Sequence, residues 1–468
     1  MKKHFLPFLL SVFVLISASC SAPADSVQDT VNASVSSYQE SSSQCESSSA
    51  IPSSGSSQIF SSSISSNVSS KASSASAQSN ASSNISSVIS SKPSSSASNP
   101  TSSSASKPAS SAPSSSAESS VPNDAKSILN SMTLEEKICQ LFIVKPETLS
   151  GGSTVTKSSS KITSFLDKYA VGGVVMFKSN ITSPSQITKL TSDLQSASKY
   201  PLFISVDEEG GSVARIANNS NFSVTKYESM LSIGNTGDTS KAQSAGKTIG
   251  TYLKRYGFNL DFAPVADVFS NPENTVIGKR SFGSDPTLVG NMVSAAIKGF
   301  KSSGVISCVK HFPGHGDTSG DSHDGKVSVT KTWDELCDCE IIPFKKAIAQ
   351  SVDMVMVGHI NTPNVTSDGL PASLSREMVT GKLRGELGYS GVIITDALNM
   401  SAITKYYSSG TSAVKAIQAG VDILLMPNSF TEAYNSLLNA VKNGTISEDR
   451  IDKSVLRILK LKEKYGII

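Results

Sequence analysis

The chain has 468 residues, with 41 Lys and Arg against 38 Asp and Glu. Its net charge of +3 is spread without a dense basic stripe, so no nucleic-acid partner is expected. Six cysteines, at positions 20, 45, 139, 308, 337 and 339, are too few and too scattered for a disulfide scaffold.

Lys2, Lys3 and His4 precede an apolar run from Phe5 to Ile16, then Ser17-Ala18-Ser19 and Cys20. A basic, then apolar, then small-residue order makes 1–20 an export signal. The apolar run falls short of the ~20 residues that span a bilayer, and no later run reaches that length. Small residues ahead of a cysteine resemble a bacterial lipobox, which marks Cys20 for lipidation. Ser17 stands where Leu is usual, so plain cleavage without lipid is the alternative. The expected place is the outer surface of the cell membrane, touched only through a lipid anchor, or else the cell wall or medium. Residues 21–125 are dominated by Ser with Ala, Asn and Pro. They carry too little apolar surface to offset ordering entropy and read as a disordered tether. As a flexible coil of about 105 residues it would span about 55–60 Å, and about 350 Å at full stretch.

From 126 to 468 the texture changes to short apolar runs alternating with amphipathic stretches. The runs are Cys139–Val144, Gly172–Phe177, Leu202–Val206, Leu260–Val265, Val305–Val309, Met354–Val357, Val392–Thr395 and Ile423–Met426, with helices such as Lys241–Tyr256 and Trp333–Ala349 between them. Strand and helix alternating in this way predict a TIM (β/α)8 barrel. A doubly wound sheet would need a glycine-rich phosphate turn after the first strand, and none follows Val144.

Catalytic groups in such barrels sit at the C-terminal ends of strands. After the third run come Asp207, Glu208 and Glu209, then Arg215; after the fourth, Asp267; after the fifth, Lys310 and His311; after the sixth, His359; after the seventh, Asp396. The segment Lys310–His323 is the longest of these insertions and holds three of the five histidines. Its glycines predict an irregular, mobile loop. Taken alone, Asp396 could cap a following helix, Asp321 and His323 could form a solvated turn, and Lys310 and Arg215 could be surface ion-pair formers. Cys337-Asp338-Cys339 lacks the second ligand pair that a zinc site needs.

K-H-F-P-G-H-G at Lys310–Gly316, followed by D-S-H at Asp321–His323, resembles glycoside hydrolase family three in its β-N-acetylglucosaminidase branch. Further matches are D-E-E-G-G-x-V-x-R at Asp207–Arg215, F-A-P-V-A-D at Phe262–Asp267, R-S-F-G at Arg280–Gly283 and I-T-D-A-L at Ile394–Leu398. The resemblance implies that Asp396 is the nucleophile and His323 the acid/base supported by Asp321. It implies that Asp207, Arg215, Arg280, Lys310 and His311 grip the sugar, whereas His315 and His359 stay outside the catalytic set. An imidazole suits the acid/base role because it titrates near neutrality and a neighbouring carboxylate fixes its tautomer. The implied reaction is retaining hydrolysis of terminal β-linked N-acetylglucosamine from peptidoglycan fragments or related glycans, with neither metal nor organic cofactor. The competing readings are phosphorolysis on the same site and a noncatalytic glycan-binding lipoprotein. Asp324-Gly325-Lys326-Val327 departs from the family pattern, which is apolar there. The chain ends soon after the helix that follows the eighth run, which predicts the single-domain form, and a monomer is expected.

Overall fold

The computed structural model describes residues 124–321 and 325–468. The export segment with Cys20, the Ser-rich stretch and His323 lie outside the described residues. Among the described residues no helix is long and apolar enough to cross a membrane.

Eight short strands form the centre: β1 Phe142–Val144, β2 Gly173–Met176, β3 Phe203–Val206, β4 Leu260–Asp261, β5 Ile306–Phe312, β6 Met354–Val357, β7 Val392–Thr395 and β8 Leu424–Leu425. All neighbours are parallel and follow chain order, with β1 also pairing with β8. A parallel bridge between Ile394 and Ile423 joins β7 to the start of β8 and closes the ring. Ile423 donates its N–H to the Ile393 carbonyl at 3.0 Å, and Thr395 donates to the Ile423 carbonyl at 3.0 Å. The strands are buried along their whole length, which is why most of them appear in the sequence as mainly apolar runs and not as alternating ones.

Helices cover this barrel, and their ends follow from the local sequence. Asp285 accepts from Leu288 N at 2.7 Å to start helix Pro286–Ser303, and Gly304 ends it at φ 72°. Such caps satisfy amides and carbonyls that the helix itself cannot pair. That helix lies close against Thr239–Arg255, since a Cβ on Gly246 would come 2.4 Å from the Ala296 carbonyl oxygen. Small residues at the crossing let the two backbones approach.

Three expectations need correction. Cys139 and Gln140 end the helix Leu134–Gln140, started by a Thr133/Glu136 capping box, so the first strand begins only at Phe142. The fifth strand does not stop at Val309 but runs to Phe312, so Lys310 and His311 belong to β5. The segment Trp333–Ala349 is two helices, Trp333–Asp338 and Ile341–Ala349. The break turns Glu340 inward, where its Oε1 accepts from Lys331 Nζ at 2.6 Å and Ser270 Oγ at 3.1 Å.

Candidate active site

A cavity of about 450 Å³ opens where the C-terminal ends of the strands converge. Its lining includes Phe177 after β2, Asp207, Glu209 and Arg215 after β3, Lys310 and His311 on β5, and Asp396 after β7. This is the rim where a (β/α)8 barrel gathers residues from separate strands.

The β3 contribution is shaped by a tight antiparallel hairpin, Glu208–Gly210 against Val213–Ala214, whose turn needs Gly210 and Gly211 at φ 89° and 64°. Glu208 is buried beneath it and accepts from Arg215 N, Ile216 N and Ala217 N at 2.5, 2.9 and 2.8 Å, and from the Tyr252 hydroxyl at 2.8 Å. Glu208 therefore fixes the returning strand that presents Arg215. Its neighbours Asp207 and Glu209 face the cavity.

On β5 the pairing register shifts between Val309 and Phe312, and the Lys310–His311 peptide is cis. An irregularity of this kind re-aims side chains, and both Lys310 and His311 line the cavity. Lys310 Nζ lies 2.7 Å from Asp207 Oδ1 and 2.6 Å from Glu209 Oε1. Arg280 grips the same Glu209 with two parallel bonds, Nε to Oε2 and Nη2 to Oε1, both at 2.8 Å. Burial alone would raise the Glu209 carboxyl, but the Arg280 and Lys310 charges outweigh it and hold it below the usual carboxylate range. Three Arg280 N–H groups are engaged within the protein, because Nη1 also donates to the Val276 carbonyl at 3.0 Å. Arg215 stands 3.8 Å from Asp207, and its buried Nε has no partner among the described residues.

Asp267, which ends the irregular stretch after β4, accepts His311 Nδ1 at 2.7 Å, His311 N at 3.1 Å and His315 N at 2.7 Å. Burial works against its charge, and His311 outweighs that effect and lowers its pKa. With Nδ1 tied to Asp267, the Nε2 of His311 is the ring nitrogen left for a ligand. His315 has its own Nδ1 2.8 Å from Thr318 Oγ1, and burial lowers its pKa. The stretch Pro313–Thr318 is thus not the loose loop its glycines predict. It is largely buried, and Gly316 lies so close to the chain after β4 that a Cβ there would meet the Val268 oxygen at 1.8 Å.

Asp396 occupies the end of β7 and accepts from Ala397 N at 2.7 Å. It caps no helix, since the next helix starts at Ser401 behind Met400. Burial opposes its charge, yet His311, His359, the Ala397 amide and Lys310 together lower its pKa. An ionised carboxylate is therefore kept at the cavity floor near neutral pH. His359 holds this segment from behind, donating Nε2–H to the Ala397 carbonyl at 3.0 Å with its Nδ1 2.7 Å from Ser373 Oγ. Asp321 is half-buried and is not among the cavity-lining residues, and its expected partner His323 lies outside the described residues.

Six of the expected residues, Asp207, Arg215, Arg280, Lys310, His311 and Asp396, meet in one cavity. Sequence reasoning passed over Glu209, Asp267 and His359 as positioning groups. Glu209 stood inside a recognised motif, and only its burial between two cations marks it out from Glu208.

Residues 133–461 match the family model described as glycosyl hydrolase family 3 N terminal domain. Beta-hexosaminidase A of Pseudoalteromonas piscicida is 37% identical over 341 residues, 67% of this chain and 56% of that protein. The chain thus spans little more than half of that relative's length. Beta-hexosaminidase LpqI of Mycobacterium tuberculosis is 31% identical over 348 residues, 70% of this chain and 82% of that protein. Among solved structures, a glycoside hydrolase family 3 beta-N-acetylglucosaminidase from a Paenibacillus species is 40% identical with a TM-score of 0.68, covering 72% of this chain and 63% of that one. With its barrel, its strand-end carboxylate and these relatives, the chain belongs to glycosyl hydrolase family 3.

Proposed function

We propose that the chain is a retaining exo-β-N-acetylglucosaminidase acting outside the membrane on peptidoglycan fragments or related amino-sugar glycans. Its relatives' names support the activity, and a single cavity of about 450 Å³ suits a terminal sugar rather than a long threaded chain. The observation that carries the reading is Asp396, an ionised carboxylate at a strand end facing His311 and the Lys310 ammonium.

In the first step Asp396 attacks the anomeric carbon while His323, supported by Asp321, protonates the glycosidic oxygen, and the aglycone leaves as an alcohol. In the second step neutral His323 takes a proton from water, which displaces Asp396 and releases the sugar. Two inversions give net retention. Asp207, Arg215, Lys310 and His311 hold the sugar hydroxyls and acetamido group. Glu209 aims Lys310, and Asp267 aims the His311 ring. Residues 1–20 direct export, Cys20 carries the lipid where it is cleaved as a lipobox, and 21–125 extend the catalytic domain into the wall.

The test is turnover of an aryl β-N-acetylglucosaminide by residues 126–468, with β-glucoside and β-xyloside controls. Release of β-N-acetylglucosamine as first product supports the reading. Cleavage of the glucoside or xyloside in its place overturns the specificity, and an α-configured first product overturns retention.

A further inference from the structure

A second cavity, of about 550 Å³, lies among the helices that cover the barrel and shares no lining residue with the active site. It is bounded by the stretch Asp368–Arg376, the helix Ser409–Ala419 and the start of the last helix, Glu448–Lys464. Three cations line it, Arg376, Lys415 and Arg450, against one carboxylate, Asp368, so three positive charges less one negative leave a net +2. Asp368 is committed to its own turn, with Oδ1 accepting from Leu370 N at 3.1 Å and Oδ2 from Ser375 Oγ at 2.7 Å. Glu377 and Asp449 are near in the chain but outside the lining, and both are engaged, Glu377 with Ser367 N and Oγ and Asp449 with Lys453. No ion pair holds Arg376, Lys415 or Arg450 among the described residues.

The excess of positive charge continues behind Arg450. Asp422 is the carboxylate there, and it is taken by Arg384 at 2.5 Å and Arg457 at 3.0 Å. Arg450 donates to uncharged acceptors only: Nε to the Ile417 carbonyl at 3.1 Å, Nη2 to the Val421 carbonyl at 2.5 Å and Nη1 to Ser454 Oγ at 2.6 Å. A guanidinium has five N–H groups, so two of its donors are left for a ligand. Burial lowers the Arg450 pKa, and the Arg457 and Arg384 charges push the same way against Asp422. A half-buried guanidinium with no counter-charge of its own, beside two further cations, favours an anion in the cavity. Leu370, Leu374 and Ile446 give the same cavity an apolar side, and its volume suits an anionic group with a sugar-sized body.

We propose that this cavity binds a phosphate group, free or as the monoester of a small molecule, through Arg376, Lys415 and Arg450. A phosphate monoester carries about −1.5 to −2 charge at neutral pH, which matches the excess on the lining, and its oxygens fit the guanidinium fork. The site is independent of the hydrolase chemistry.

Calorimetric titration of the full chain at low ionic strength, with inorganic phosphate and with glucose 6-phosphate, tests it. The wild type should bind saturably. In Arg376→Ala/Lys415→Ala the affinity should fall about tenfold or more, the worth of one charge-assisted hydrogen bond. Lys415→Arg alone should keep the wild-type affinity. Lys298→Ala/Lys345→Ala removes the same charge from exposed positions outside this lining and should leave binding unchanged. The Arg376 and Lys415 side chains hold no ion pair among the described residues, so both double variants should keep the wild-type Tm. Added phosphate should then raise the Tm of the wild type and of Lys298→Ala/Lys345→Ala, but not that of Arg376→Ala/Lys415→Ala. Tighter binding of glucose 6-phosphate names a monoester as the ligand, and equal or weaker binding names free phosphate; either upholds the site. No saturable binding of either probe by the wild type, an unchanged affinity in Arg376→Ala/Lys415→Ala, or an equal loss in Lys298→Ala/Lys345→Ala overturns it.

Discussion

Glu209 is 3% exposed and holds two cations at once, with bidentate Arg280 at 2.8 Å and Lys310 at 2.6 Å. Replacing it by Gln keeps the volume but removes the charge and turns an amide N–H2 toward donors. Breaking a buried ion pair by removing one partner costs about 3–5 kcal/mol, because the other charge stays buried without compensation. Asp207 still faces Lys310, which places the expected loss for Glu209→Gln near the lower end, about 3 kcal/mol. A folded domain of about 345 residues has an unfolding entropy near 0.7 kcal/mol/K, so Tm should drop by about 4 °C. Activity should fall further than stability, since Lys310 and Arg280 both line the cavity and lose their common anchor. A drop in kcat/KM of about 10²-fold is expected, of the size seen when a supporting group is lost. Thermal unfolding and steady-state kinetics on an aryl β-N-acetylglucosaminide measure both. Glu208→Gln is the informative comparison, because Glu208 fixes backbone amides and not the cations. A Glu209→Gln protein with Tm within a degree of wild type and kcat/KM within threefold would refute the view that one carboxylate organises both cations.

Asp267→Asn should lower kcat/KM by about 10²-fold, because His311 loses the carboxylate that fixes its Nδ1 proton, while Tm changes less than in Glu209→Gln; equal rates in a kinetic assay would count against it. The acid limb of kcat/KM should lie below the ordinary carboxylate pKa of about 4, since Asp396 is held down and the attack proposed for it needs the ionised form. Glu209 and Asp267 are also depressed, so the stability they contribute is present above their ordinary pKa and is lost as pH falls through the folded value, seen as acid unfolding in the same window. Lys462 is wholly buried, with its Nζ 2.9 Å from Gln140 Oε1, and burial pushes it down to about 7. The unfolded chain therefore binds more protons between about pH 7 and 10, stability rises with pH across that window, and Lys462→Met should raise stability at pH 7 by about 1–4 kcal/mol and flatten the rise in denaturant titrations.

The barrel was legible because parallel strands buried on both faces leave unbroken apolar runs, and the rim was legible because polar residues follow those runs. Strand ends were less so. Gln140 reads as part of a strand by its neighbours, but a capping box seven residues earlier commits it to a helix. Lys310 and His311 read as loop because strands usually end at charge, and only the register shift in β5 lets them remain paired while facing the cavity. The recognised motifs brought six cavity residues together, yet motif matching does not distinguish a carboxylate that meets the sugar from one that holds a lysine. Glu209 holds Lys310 and Arg280, Asp267 holds the His311 ring, and both roles follow from burial and from the group each carboxylate touches. The break at Glu340 left no signal either, because its inward contacts, with Lys331 just ahead of the first helix and with Ser270, do not show in the helical periodicity.

The role given to Asp396 is tested most directly by Asp396→Ala on an aryl β-N-acetylglucosaminide, with and without azide. A loss of about 10⁴-fold or more is expected, with azide restoring turnover through a single displacement that yields the α-glycosyl azide. Undiminished turnover in Asp396→Ala, or an azide product of β configuration, would contradict it.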